Sequence, residues 1–206
     1  MPNGTGTPEL LLPSKANIVP TDWSRDGRFL LYMTGALGGP TAPEAAGVDI
    51  WMLPLGGDRK PVPVLQTNFN ELQARLSPDG RWMAYVSDES GRFEIYVKSF
   101  NAPSTTAPTP EGKWLLSKGG GTEPRWSRDG RALFYLGVGG SVMAVDIKTT
   151  PAFEPGMPKP LFQIPAGATI WDVAPDGQRF LLPVLTAESS RVPFTVVLNW
   201  TSALKQ

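Results

Sequence analysis

The sequence contains no cysteine and no histidine. Without cysteine there is no disulfide, no thiol nucleophile and no thiolate metal site. Without histidine the commonest general base is missing, and with it the Ser-His-Asp triad and most zinc, copper and haem sites. An excess of charge of either sign is also absent: 19 Lys and Arg stand against 19 Asp and Glu over 206 residues. That removes any global pull toward nucleic acid or acidic membranes and leaves only local patches. No window holds 18 consecutive apolar residues, and Met1–Lys15 lacks a basic start followed by an apolar run of signal length. The expectation is a chain with no membrane segment, no nucleic-acid partner, no metal and no cofactor. Its compartment stays open: cytoplasmic as encoded, extracytoplasmic if carried on a longer membrane-anchored protein.

Glycine and proline are abundant, at 22 each, and they punctuate a repeat. Four segments align: Asp22-Trp-Ser-Arg-Asp-Gly-Arg28, Arg75-Leu-Ser-Pro-Asp-Gly-Arg81, Arg125-Trp-Ser-Arg-Asp-Gly-Arg131 and Asp172-Val-Ala-Pro-Asp-Gly-Gln178. The Asp-Gly pairs begin at 26, 79, 129 and 176, giving spacings of 53, 50 and 47. A period near 50 lies in the range of propeller blades. An Asp-Gly pair between apolar runs signals a hairpin, because glycine accepts the positive φ of the turn. Further runs follow each turn, three in the first three units and two in the fourth: Phe29–Met33, Asp49–Leu53 and Pro63–Leu65 in the first unit; Trp82–Val86, Glu94–Val97 and Lys113–Leu116 in the second. The third unit has Ala132–Leu136, Val142–Val145 and Lys159–Gln163, and the fourth has Phe180–Val184 and Phe194–Leu198. They are short, β-branched or aromatic, and bounded by turn residues. The pattern predicts an all-β fold, a β-propeller of four four-stranded antiparallel blades in one domain over 1–206. The blades fall at about 17–66, 67–118, 119–164 and 165–200. The fourth unit stops at its third strand, while Pro8–Pro13 is a short strand without a unit. The N-terminal segment is therefore expected to complete the last blade. Closure within one chain would give four blades, closure between two chains eight, and a third alternative makes these the last blades of a larger ring.

The repeat, with its Trp/Leu-Ser-x-Asp-Gly-Arg turn and the following Asp49-Ile-Trp51 or Glu94-Ile-Tyr-Val97, resembles the TolB-type, WD-repeat-like propeller family. More narrowly, the segments at 20–32, 49–61, 70–100 and 193–205 resemble the C-terminal propeller of bacterial, acidobacterial-type serine/threonine protein kinases. This resemblance implies a recognition or sensor module of a signalling protein. It does not bring kinase chemistry, since no Gly-rich loop with its strand lysine is present and a His-Arg-Asp catalytic loop is ruled out. Gly119-Gly-Gly121 reads as a turn. A propeller hosts many unrelated activities, so function has to be argued from a site.

By analogy with propellers, the turns between second and third strands share one face with the blade-to-blade connections, and that face usually carries the ligand. The four Asp-Gly turns fall on the other face, where Asp26, Asp79, Asp129 and Asp176 would accept bonds from their own turn amides. The residue four before each turn aspartate is charged every time: Asp22, Arg75, Arg125 and Asp172. These side chains are placed on the innermost strands, with Glu71 and Glu123 in connections nearby. Together the six are the candidate ligand-binding residues at the channel mouth. Two readings stay open for them, a ring that binds an anion, sugar or peptide terminus, and salt-bridged staples between adjacent blades. Gly35–Val48, Ser87–Arg92 and Ala187–Arg191 are candidate recognition loops. Without histidine, carboxylate pairs such as Glu71 with Glu123 or Asp22 with Asp172 are the candidates for hydrolase or lyase chemistry on a carbohydrate-type substrate. The expected partner is a protein, peptide or glycan on the loop face, with a homodimer sharing one larger ring as a further arrangement.

Overall fold

The computed structural model describes residues 8–35, 47–102, 109–150, 152–165, 171–183 and 194–197, the last segment by its backbone. It is all-β. The first sheet is β1 (Ile18–Trp23), β2 (Phe29–Thr34), β3 (Asp49–Pro54) and β4 (Val62–Leu65), in that spatial order. The second is β5 (Glu71–Leu76), β6 (Trp82–Ser87), β7 (Glu94–Ser99) and β8 (Lys113–Leu115). The third is β9 (Gly121–Trp126), β10 (Ala132–Gly137) and β11 (Ser141–Lys148), whose outer edge pairs with both β12 (Glu154–Pro155) and β13 (Lys159–Gln163). The fourth is β14 (Asp172–Val173), β15 (Phe180–Pro183) and β16 (Phe194–Val197). All pairings are antiparallel. Each sheet is a meander, and each has apolar side chains on both faces, so it is buried only by stacking on its neighbours.

Three apolar clusters do that stacking. One joins Val48 of the first unit to Val86 and Val97 of the second and Leu133 and Val145 of the third. A second packs Leu31, Ile50 and Met52 against Met83, Tyr85 and Phe100. A third sets Phe134 and Val142 against Trp171, Phe180 and Leu182. Among the described residues no cluster joins the first sheet to the fourth.

The Asp-Gly turns share one construction. Ser24, Ser77 and Ser127 donate to Asp26, Asp79 and Asp129 at 2.6–2.7 Å, and each aspartate accepts the amide two residues on. The same seryl oxygens accept the amides of Phe29, Trp82 and Ala132. In the fourth turn Ala174 replaces serine, but the Gly177 amide still reaches the Ala174 carbonyl at 2.8 Å. The aspartates are thus turn acceptors.

The N-terminal segment departs from expectation. Pro8–Pro13 forms no strand, and Glu9 is ion-paired with Arg59, between β3 and β4 of the first sheet. Among the described residues the segment pairs with no strand of the last sheet. The last sheet accordingly has three strands among the described residues. Ala187–Arg191 and most of Gly35–Val48 lie outside the described residues.

Candidate functional site

The inner strands β1, β5, β9 and β14 bring their charged residues together. Asp22 of the first sheet accepts the amide of its neighbour Trp23 at 2.9 Å and, across to the second sheet, the amide of Leu76 at 2.7 Å. Arg75 reaches Asp22 at 3.9 Å. Arg125 lies 3.9 Å from Asp172, which accepts the amide of Val173. Both interblade Asp–Arg staples are therefore present at the first and third junctions. The second junction is different, because it brings the two cations Arg75 and Arg125 side by side. A hydrogen bond of 3.1 Å from the Trp126 indole to the Arg75 carbonyl crosses that junction, and Glu123, on the same strand as Arg125, lies 2.9 Å from it.

The electrostatics follow from this crowding. Burial raises the Asp22 carboxyl above the usual range, and the amides of Leu76 and Trp23 with Arg75 and Arg125 oppose it. Burial, and then the charge of Arg125, lowers Arg75 below the ordinary arginine value. Arg125 also covers the Trp171 ring at 5.6 Å, a cation–π contact that ties the third sheet to the fourth.

Glu71 and Glu123 are on strands, not in connections, because the inner strands start earlier than the apolar pattern indicates. They are also separated in role. Glu71 is 1% exposed and accepts from the Thr67 hydroxyl at 2.5 Å, while its other oxygen has no partner among the described residues. Burial raises its carboxyl, and Asp49, Asp88 and Glu89 add to that. Glu123 instead faces its repeat-equivalent in the preceding blade, Gln73. Gln73 donates to Glu123 at 2.6 Å and accepts the Glu123 amide at 2.8 Å.

Gln73 is a residue the sequence reading did not single out. Both it and Glu123 have positive φ, 54° and 56°, in a region side chains rarely adopt. Each sits in a bulge: residues 73 and 74 oppose Tyr85, and residues 123 and 124 oppose Tyr135. The first inner strand shifts register at the same place, opposite Tyr32. The available signal was the tyrosine that recurs in each of these second strands. Bulges of this kind re-aim side chains, here toward each other across the second junction.

Three of the six candidate residues, Asp22, Arg75 and Arg125, line a pocket of about 190 Å³ together with Arg25, Pro78 and Arg128 from the Asp-Gly turns, whereas Glu71, Glu123 and Asp172 do not. The pocket therefore opens on the turn face. Among the described residues no group of three or more acidic residues is placed to hold a metal ion, and no helix is long and apolar enough to cross a membrane.

No family model and no curated protein sequence matches the chain. Solved structures do match. TolB from Acinetobacter baumannii superposes with a TM-score of 0.69 at 20% identity, over 96% of this chain and 44% of that one. The β-propeller domain of Myceliophteria thermophila Cps50 (Swd1) gives 0.50 at 19% identity, over 90% and 59%. A gluconolactonase from Xanthomonas campestris gives 0.52 at 18% identity, over 84% and 57%. The fold is a β-propeller, of the kind seen in TolB and in WD-type propeller domains. The chain spans less than half the length of the Acinetobacter TolB, and neighbours of this fold include an enzyme as well as propeller domains without one named.

Proposed function

We propose that the chain is a non-catalytic recognition module, the sensor or scaffold part of a signalling protein, that binds a protein, peptide or glycan at the mouth of its channel. The observation that carries this reading is the engagement of three of the four candidate acids, the fourth, Asp172, being an exposed side chain 3.9 Å from Arg125. Both Asp22 oxygens accept backbone amides, Glu123 is shared between Gln73 and Arg125, and Glu71 is sealed from solvent. A general acid or nucleophile needs a carboxyl within reach of substrate and free to exchange a proton. Groups locked into interblade bonds instead hold a surface in one shape, which favours recognition by lowering the ordering cost of binding.

The test is a panel of lactones, glycosides, uronates and esters assayed with the protein and with Glu123→Gln and Asp22→Asn, followed by peptide and glycan arrays. No turnover, with array binding that depends on channel-mouth residues, is expected. Turnover abolished by Glu123→Gln in a folded variant would overturn the reading.

A further inference from the structure

The pocket of about 190 Å³ on the Asp-Gly face is lined by four arginines, Arg25, Arg75, Arg125 and Arg128, and by one acidic residue, Asp22. We propose that this pocket is an anion site that takes one carboxylate or phosphate group, with Arg75 as its inner donor and Arg25 and Arg128 as its outer ones. The proposal rests on the reading of the channel as a binding site, and it assigns the ligand's chemistry and the face by which it enters.

Arg75 is the centre of the argument. A guanidinium carries five donors and no acceptor. The Nε of Arg75 is buried without a hydrogen-bond partner among the described residues. Its ion pair with Asp22 is long, at 3.9 Å, and both Asp22 oxygens are already committed to the amides of Trp23 and Leu76. Its other neighbour, Arg125, is a second cation satisfied elsewhere, by Glu123 and the Pro124 carbonyl at 2.9 Å each. Arg75 thus retains donor capacity in a partly buried place, where an unmade hydrogen bond is costly and a made one is strong.

The outer donors come from two different blades. Arg25 of the first turn donates to the Arg128 carbonyl of the third at 3.1 Å, so the two turns meet over the pocket. The Arg128 guanidinium is exposed and has no partner among the described residues. The nearby carboxylates Glu123 and Asp172 both lie against Arg125. An arginine fork matches the planar oxygens of a carboxylate or the oxygens of a phosphate. The volume admits one such group with a few waters. Trp23, 57% exposed, flanks the pocket and offers an apolar surface to whatever carries the anion.

The experiment is scanning fluorimetry and calorimetric titration of the full chain with sodium phosphate and, separately, with N-acetylglutamate, against sodium chloride at matched ionic strength. A saturable rise in Tm with at least one of the two anions, exceeding that of chloride, is expected. Which anion binds assigns the source of the charge. Arg75→Gln is expected to weaken binding about 10-fold or more, as loss of a charge-assisted bond worth ~1.5–3 kcal/mol implies, and Arg128→Gln several-fold. If Arg75→Gln does not fold, Arg128→Gln and Arg25→Gln decide, because both side chains are exposed. Equal shifts with chloride, or unchanged affinity in the arginine variants, would overturn the proposal. Turnover in the substrate panel would remove the recognition reading while leaving a saturable anion site standing; no turnover and no anion binding would remove this proposal alone.

Discussion

At the scale of single residues, the seryl and aspartyl side chains of the Asp-Gly turns act as a clasp. Ser77 donates to Asp79 and accepts the buried Trp82 amide. Ser77→Ala leaves that amide without its side-chain acceptor and is expected to cost about 1–3 kcal/mol, read as a lower urea midpoint with an unchanged slope. The fold should survive, because Ala174 already stands in this place in the fourth turn. The clasp also sets a pH dependence. The Ser24 hydroxyl, with the Arg28 amide next, lowers the Asp26 carboxyl to about 2. A lowered carboxyl stabilises the fold above its unfolded value and loses that contribution as pH falls through its folded one. Stability from this turn should therefore fade between about pH 4 and pH 2. Glu71 has the opposite sign. Its raised carboxyl favours the fold when protonated, and that contribution is lost as pH rises through its folded value. Glu71→Gln is accordingly expected to raise Tm at pH 7 and to leave it nearly unchanged at pH 3. A drop in Tm at neutral pH would show that the ionised group is needed.

At the scale of the strand, the bulges carry the site. Gln73 and Glu123 hold positive φ because they exchange two hydrogen bonds across the second junction, offsetting a left-handed conformation that costs roughly 1–2 kcal/mol. This gives a prediction against the usual rule that glycine weakens a strand. Gln73→Ala loses the bonds and keeps the strain; Gln73→Gly loses the bonds and relieves it. The glycine variant should therefore be the more stable of the two by about 1 kcal/mol, measured by urea unfolding. If alanine is the more stable, the backbone there is not strained in solution. Strands and turns were legible in the sequence because Asp-Gly pairs and apolar runs are local signals. The bulge was not, because neither glutamine nor glutamate marks a left-handed position and its partner lies 50 residues away. The charged positions at Asp22, Arg75, Arg125 and Asp172 were legible as neighbours on successive inner strands through their fixed offset from the turn. That three of them line a pocket with Arg25 and Arg128 was not, since those arginines are ordinary turn residues until the blades are stacked.

At the scale of the molecule, the sheets are unequally tied. Trp82 of the second sheet packs on Trp114 at 5.5 Å and on Phe153 of the third unit at 4.8 Å, inside the cluster that unites three units. Trp82→Ala should cost roughly 3–5 kcal/mol and lower the stability of all three together. The fourth sheet is held differently. Its inner strand pairs over only Asp172 and Val173, against six-residue inner strands elsewhere. Where the other second strands place a tyrosine opposite the bulge, β15 has Pro183, which has no amide to contribute to a ladder. Its attachment rests on Trp171, Phe180 and Leu182 against the third sheet, with Phe180 edge-on to Phe134 at 5.3 Å. Stability in stacked repeats is a sum of unit and neighbour terms, so the unit with the shortest ladder and one junction among the described residues should open first. Native-state hydrogen exchange is expected to release the amides of Val173 and Leu181 at lower free energy than those of Tyr85 and Val97. Phe180→Ala should widen that gap by accelerating the fourth sheet while leaving the second unchanged. Exchange of all four amides at one common free energy would mean that the fourth sheet is locked to the rest by contacts beyond those junctions, as a closed ring would require.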